Sequence, residues 1–245
     1  YERTVDVGRG LSIAWRGLAD LYSELFPMIG MNVIWFGINI VLGVLCLPVL
    51  LLAGAVGIPA ELASLLLVVL MVMAPNPAAA GIHNYANQLV KEERVEFALV
   101  WEGLRQYWAK ALLLFAICVL GFVLLVANAA FYLGNESQVL KIIGIIWIYA
   151  MYVWLSMQIY MLPLLVEQES KSIWFVIRNA AILALDNPFV TFTLLLVFVV
   201  LTGLSLAIPI FITLLCGALI GVIQHRAALT LLEKYRKRKS SGLAS

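Results

Sequence analysis

Six long apolar runs, none with a charge at its centre, constrain this chain more than any other feature. They are Phe26–Ala53, Ala60–Ala80, Ala109–Leu133, Val139–Val166, Phe189–Ala207 and Ile210–Leu231. About 20 mainly apolar residues in a helix cross the hydrocarbon core of a bilayer. Backbone polar groups in that core must be satisfied within the protein, so isolated runs of this kind can only be helices. The chain is 64% hydrophobic and only 12% charged, against roughly a quarter charged in a soluble domain. The expected fold is all-α and polytopic: one membrane domain over residues 1–245, with six transmembrane helices and no soluble domain. The chain begins at Tyr1 rather than Met, so the native start is expected further upstream.

Basic residues set the expected orientation. Arg3, Arg9 and Arg16 precede the first run, and Lys91, Arg94, Arg105 and Lys110 lie between the second and third. Lys171 and Arg178 lie between the fourth and fifth. Arg226, Lys234, Arg236, Lys237, Arg238 and Lys239 gather at the C-terminal end, and Lys141 alone falls on the other side. The positive-inside rule then puts both termini and both long loops in the cytoplasm of a bacterial cell membrane. The outer connections are short: "GAVGIP", "GNESQ" and the turn at Pro209. The residues of "EKYRKRK" can meet anionic headgroups, though anchoring the last helix is their plainer role; 232–245 reads as a basic flexible tail. One aromatic among five basic residues is too little for a nucleic-acid partner. Cys46, Cys118 and Cys216 lie singly in three different runs, which suits small core residues rather than a disulfide or zinc framework.

A phrase repeats. "AWRGLADLY" at 14–22 returns as "VWEGLRQYW" at 100–108. On a helix, Leu11, Trp15, Leu18 and Tyr22 form one stripe, and Phe97, Trp101, Leu104 and Trp108 form its counterpart. A third shift lands on Ile173, Ile177, Ala180 and Ala184. Charged residues, among them Arg9, Arg16, Asp20 and Glu24 in the first copy, occupy the other face, as in a helix lying at the membrane interface. Each stripe precedes a pair of runs, so the chain reads as three cytoplasmic elbow helices, each followed by a transmembrane hairpin (repeats 8–81, 94–166 and 170–231). Pro27 and the Asp186-Asn187-Pro188 run predict breaks after the first and third elbows. The second elbow has no such break. Convergence of ordinary interfacial helices accounts for the same pattern.

Chemistry is sparse. No run holds paired carboxylates, and no phosphate loop, Ser-His-Asp order or His-x-x-x-His helix appears, so no enzymatic activity is expected. Asn32 and Asn39 share one face of the first run beside Trp35. They could line a polar path, but intramembrane asparagine more often bonds neighbouring helices, with Ser156 and Gln158 as candidate partners. His83 and His225 lie where runs reach the cytoplasm and are the weak candidates for a metal or chlorin ligand; with no third ligand near them in sequence, capping is the commoner role, and no cofactor or metal is expected. Thr213, Gly217 and Gly221 form a small-residue ridge against which another helix can pack closely.

"MNVIWFGINIVLGVL" and the segment from "PNPAAAGIHNYANQ" to "WEGLRQYWAKALL" resemble the YesL-like family of small bacterial membrane proteins. The matching positions are Asn32 and Trp35, Pro77 and Ala80 closing the second run, and Trp101 and Trp108 on the aromatic elbow. The resemblance covers roughly residues 20–160 and implies an accessory role beside carbohydrate uptake systems, with no catalytic residues. The expected function is a non-enzymatic membrane accessory or scaffold protein that docks membrane or cytoplasmic partners through its elbow helices. A transporter or permease subunit, and a small subunit of an energy-converting complex, are the alternatives.

Overall fold

The computed structural model describes residues 2–240 apart from 56, 62, 65, 66, 69–73, 92–94, 170 and 171. Among these residues the chain is helical and has no strand. Helix α1 spans Glu2–Ser23 and α2 spans Leu25–Leu45; α3 covers Leu47–Ala55 and α4 Pro77–Val90. Then come α5 (Ala98–Leu133), α6 (Gln138–Glu167), α7 (Ile173–Asp186) and α8 (Pro188–Ala207). A helical turn at Pro209–Phe211 and a π-helical turn at Ile212–Cys216 lead into α9 (Gly217–Ser240). Among the described residues, five helices are long and apolar enough to cross a membrane: α2, α5, α6, α8 and the run Pro209–Lys237 that contains most of α9.

Prolines place most of the breaks. Glu24 leaves helical geometry between α1 and α2, with Pro27 in the first turn of α2, where a missing N–H costs least. Asn187 does the same before Pro188, the first residue of α8. The segment expected as the second elbow is continuous with the apolar run after it, in the 36-residue α5. Two expected runs come out differently. Phe26–Ala53 is split by a turn at Cys46 just ahead of Pro48, so it forms α2 and α3. Ala60–Ala80 is helical at its described residues 60, 61, 63, 64, 67 and 68, but it does not reach Ala80. Its central residues lie outside the described ones. Its expected end is a new beginning: Pro75 interrupts the chain, Asn76 adopts an extended cap, and Pro77 starts α4.

Helix α9 is the centre of the bundle, packed against α1, α2, α4 and α6. Leu219, Ile220, Val222, Ile223, Ala227, Ala228 and Leu231 are all buried on it. The outer faces stay apolar and exposed: Ile40, Val41 and Val44 on α2, Leu120 and Leu124 on α5, Ile142, Ile145 and Ile146 on α6, and Leu196, Val199 and Val200 on α8. Continuous apolar faces of this extent suit lipid rather than water.

The threefold stripe does not keep one orientation. Leu11, Trp15, Leu18 and Tyr22 point outward, Trp15 being 73% and Tyr22 89% exposed. In the second copy Phe97, Trp101 and Trp108 are exposed but Leu104 is buried. In the third, Ala180 and Ala184 face the core and the exposed aromatics are Trp174 and Phe175. Helix α7 packs on α6, and small Ala side chains permit that approach, so its stripe was absorbed by the core. Of the expected basic tail 232–245, the part up to Ser240 continues α9 and the rest lies outside the described residues; Lys234 donates to Asn187 Oδ1 at 3.0 Å, Tyr235 to Asp186 at 3.1 Å and Arg236 to Glu167 at 3.1 Å.

Candidate functional site

A chain of buried polar contacts follows α4 and α9 toward the basic end of the bundle. It starts at the cap of α4. The Asn76 side-chain oxygen accepts the Ala79 N–H at 3.0 Å, the ordinary role of asparagine at a helix start. The Asn76 amide donates to Asn39 Oδ1 at 3.2 Å, while Asn39 donates to the Trp35 carbonyl at 2.8 Å. Asn39 thus ties α2 to the start of α4.

Asn32 makes a second tie. It is fully buried, and it donates from Nδ2 to the Ile212 carbonyl at 2.7 Å while its Oδ1 accepts the Ala218 N–H at 2.9 Å. The π turn at 212–216 perturbs the helical ladder, and Asn32 clamps both sides of it, which lets a widened turn exist in an apolar core. Gly217 lies against the Trp35 ring and Gly221 against Ile82. A Cβ on Gly217 would overlap the indole, and one on Gly221 would stand 2.6 Å from the Ile82 side chain. The partners at both glycines are therefore α2 and α4 of the same chain. Thr213 turns its hydroxyl back to the Pro209 carbonyl at 3.0 Å. Ser156 and Gln158, the expected partners of the asparagines, are buried on α6 and make no bond to them.

His83 and His225 come together. Both are fully buried, with ring centroids 5.9 Å apart. One turn beyond His83, Asn87 Oδ1 lies 3.2 Å from His225 Nε2. With the Asn87 oxygen facing it, the ring donates through Nε2 and keeps a lone pair on Nδ1, which has no partner. Both ring nitrogens of His83 are likewise unpartnered. Burial, reinforced by the neighbouring His225 ring, holds His83 well below the ordinary imidazole range, so it is neutral. Two imidazoles this close could ligate a soft or borderline cation or a pigment metal. Among the described residues no group of three or more His, Cys, Asp or Glu completes such a centre.

Nearer the basic end the contacts become ionic. Tyr85 donates to Glu24 Oε2 at 3.0 Å, linking α4 to the α1–α2 junction. Arg226 grips Asp20 through both Nε and Nη2, the latter at 2.6 Å, joining α9 to α1. Glu167 receives Lys91 at 2.7 Å and Arg236 at 3.1 Å. Sequence reasoning named Asn32, Asn39, His83 and His225 but missed Asn76, Asn87 and the Asp20–Arg226 pair. The Pro-Asn-Pro order could have marked Asn76 as a helix cap, and the one-turn spacing could have joined Asn87 to His83.

No family model matches the chain, and no curated protein or solved structure is significantly similar to it. The likeness to the YesL-like family rests on the residues quoted for it.

Proposed function

We propose that this is a non-enzymatic accessory or scaffold protein of the bacterial cytoplasmic membrane, with both termini inside, related to the YesL-like family. It docks a membrane or cytoplasmic partner, a carbohydrate uptake system being the one the family likeness implies. One observation carries the reading: Trp15, Tyr22, Trp101 and Trp108 stay exposed on helices that also bear the chain's charges, while Arg226–Asp20 and Tyr85–Glu24 hold the α1 end rigidly to the bundle. Exposed aromatics on a fixed support are what a recognition surface needs. The pairing of Asn32 with the π turn speaks against a transport path along α2, because both ends of its amide serve the protein.

The test is purification from native membranes in mild detergent, with and without Trp15→Ala, Trp101→Ala and Trp108→Ala together. A stoichiometric partner lost in the triple variant, at unchanged helicity, supports the reading. A lone monomer from native membranes overturns it. A second reading, a subunit contacting a metal or pigment, is favoured by the 5.9 Å approach of His83 and His225. It requires a metal or visible absorbance that is lost in His83→Leu, and an unchanged spectrum removes it.

A further inference from the structure

The two histidines between α4 and α9 have unused bonding capacity. His83 and His225 are fully buried, yet His83 Nδ1, His83 Nε2 and His225 Nδ1 have no partner. Asn87 faces His225 Nε2, and Gln224 approaches His83 without closing a hydrogen bond to it. An unpaired buried polar atom is costly, and here such atoms gather on two adjacent rings from different helices.

We infer that the pair binds a soft monovalent cation, copper(I), through His225 Nδ1 and one nitrogen of His83, with the Met28 thioether as a further donor. The inference rests on the metal reading given above and names the cation. Ring centroids 5.9 Å apart give the span that a metal needs when it bonds one nitrogen of each ring at about 2 Å. A ligating imidazole ordinarily engages a polar partner through its far nitrogen, which fixes the ring and aims the other lone pair at the metal. Asn87 is that partner for His225.

Met28 is fully buried on α2, four residues from both Glu24 and Asn32 and so on their face. Asn32 meets Ala218 of α9, and Glu24 meets Tyr85 of α4. The same two contacts bracket the imidazoles. A Cβ on Gly221, three residues past Ala218, would lie 3.9 Å from His83 Nε2, and His83 is two residues from Tyr85. The thioether therefore stands level with the pair.

The donor set selects the cation. Among the described residues no third His, Cys, Asp or Glu joins the pair. Zinc needs a full tetrahedral shell, and divalent copper or nickel a square plane. Each would also carry a double charge into an apolar site with no carboxylate to balance it. Copper(I) brings a single charge, is satisfied by few donors, and accepts imidazole nitrogen and thioether sulfur.

The experiment uses the full-length protein in uncharged detergent under anaerobic conditions. Copper(I) is titrated against bicinchoninate as a competing chelator, with zinc and haem titrated in parallel. One copper(I) per chain is expected, and X-ray absorption should show imidazole nitrogens with one sulfur. His83→Leu and His225→Leu should each weaken binding at least about a hundredfold, and Asn87→Leu about tenfold. Met28→Leu should cost about tenfold and remove the sulfur shell. Cys118→Ala should leave binding unchanged, although it removes the other buried soft pair, Cys118 Sγ and Met161 Sδ at 3.6 Å. The absorption spectrum of the parent carries the test if the histidine variants fail to fold, and an all-sulfur shell overturns the site. Copper(I) lost in Cys118→Ala but kept in His83→Leu overturns it as well. Unchanged affinity in Met28→Leu overturns the thioether's part. Zinc or haem held through His83 without copper(I) overturns the choice of cation and leaves the metal reading standing, whereas no binding of any of them overturns both.

Discussion

Asn32→Leu is the most informative substitution in the bundle. It removes the 2.7 Å bond to the Ile212 carbonyl and the 2.9 Å bond from the Ala218 N–H, both at a fully buried side chain. Leucine is nearly isosteric, so packing changes little and the loss is chiefly polar. A lost bond that strands a buried backbone group costs about 1–2 kcal/mol in proteins and in membranes alike. The pair then amounts to about 2–4 kcal/mol, roughly thirty- to seven-hundred-fold in the folding equilibrium. Steric trapping in bicelles measures this without a soluble unfolded state. Asn39→Leu is the comparison: it loses one longer interhelical bond and one within its own helix, and about 1 kcal/mol is expected. An Asn32→Leu protein within about 0.5 kcal/mol of the parent would refute the clamp.

Other substitutions sample different physics. Gly217→Ala drives a methyl into the Trp35 ring and should cost about 1–3 kcal/mol, read by thermal unfolding in detergent; an unchanged midpoint would mean that α2 and α9 do not pack so closely. Arg236→Ala loses an ion pair whose arginine end is exposed while the largely buried Glu167 keeps Lys91, so its effect should stay below about 0.5 kcal/mol and vanish in high salt. His83 is neutral when folded, with its pKa lowered, so below about pH 6.5 the unfolded chain binds the extra proton and stability falls as pH drops, by up to about 1.4 kcal/mol per unit. His83→Leu should remove that share of the acid-side slope in equilibrium unfolding between pH 7 and 5, and an unaltered slope would place a charge on the folded ring.

What could be read from the sequence was what is local. Apolar runs and proline breaks depend on neighbours a few positions away, so α5, α6 and α8 and the breaks at Glu24 and Asn187 were all legible. Pro77 misled because proline ends one helix and begins another with equal ease; only the extended Asn76 cap tells which. The third stripe misled because Ala180 and Ala184 suit an outer or an inner face, and burial decided for the inner. Within the site, residue type pointed to Asn32, His83 and His225, but their partners were hidden by chain separation. Arg9 and Arg16 looked like one side of a solvated helix until Arg226 closed a cleft against them.

The widened turn at 212–216 also acts as an indexing device. One surplus residue wound into a helix rotates all that follows by about 100° relative to a regular continuation. Downstream of it, Gly217, Gly221 and His225 come to face α2 and α4, while Ile210 upstream faces outward. Insertions or deletions within those five positions should therefore be felt far away, at the imidazole pair and at Arg226, as a mis-set dial rather than as a local defect.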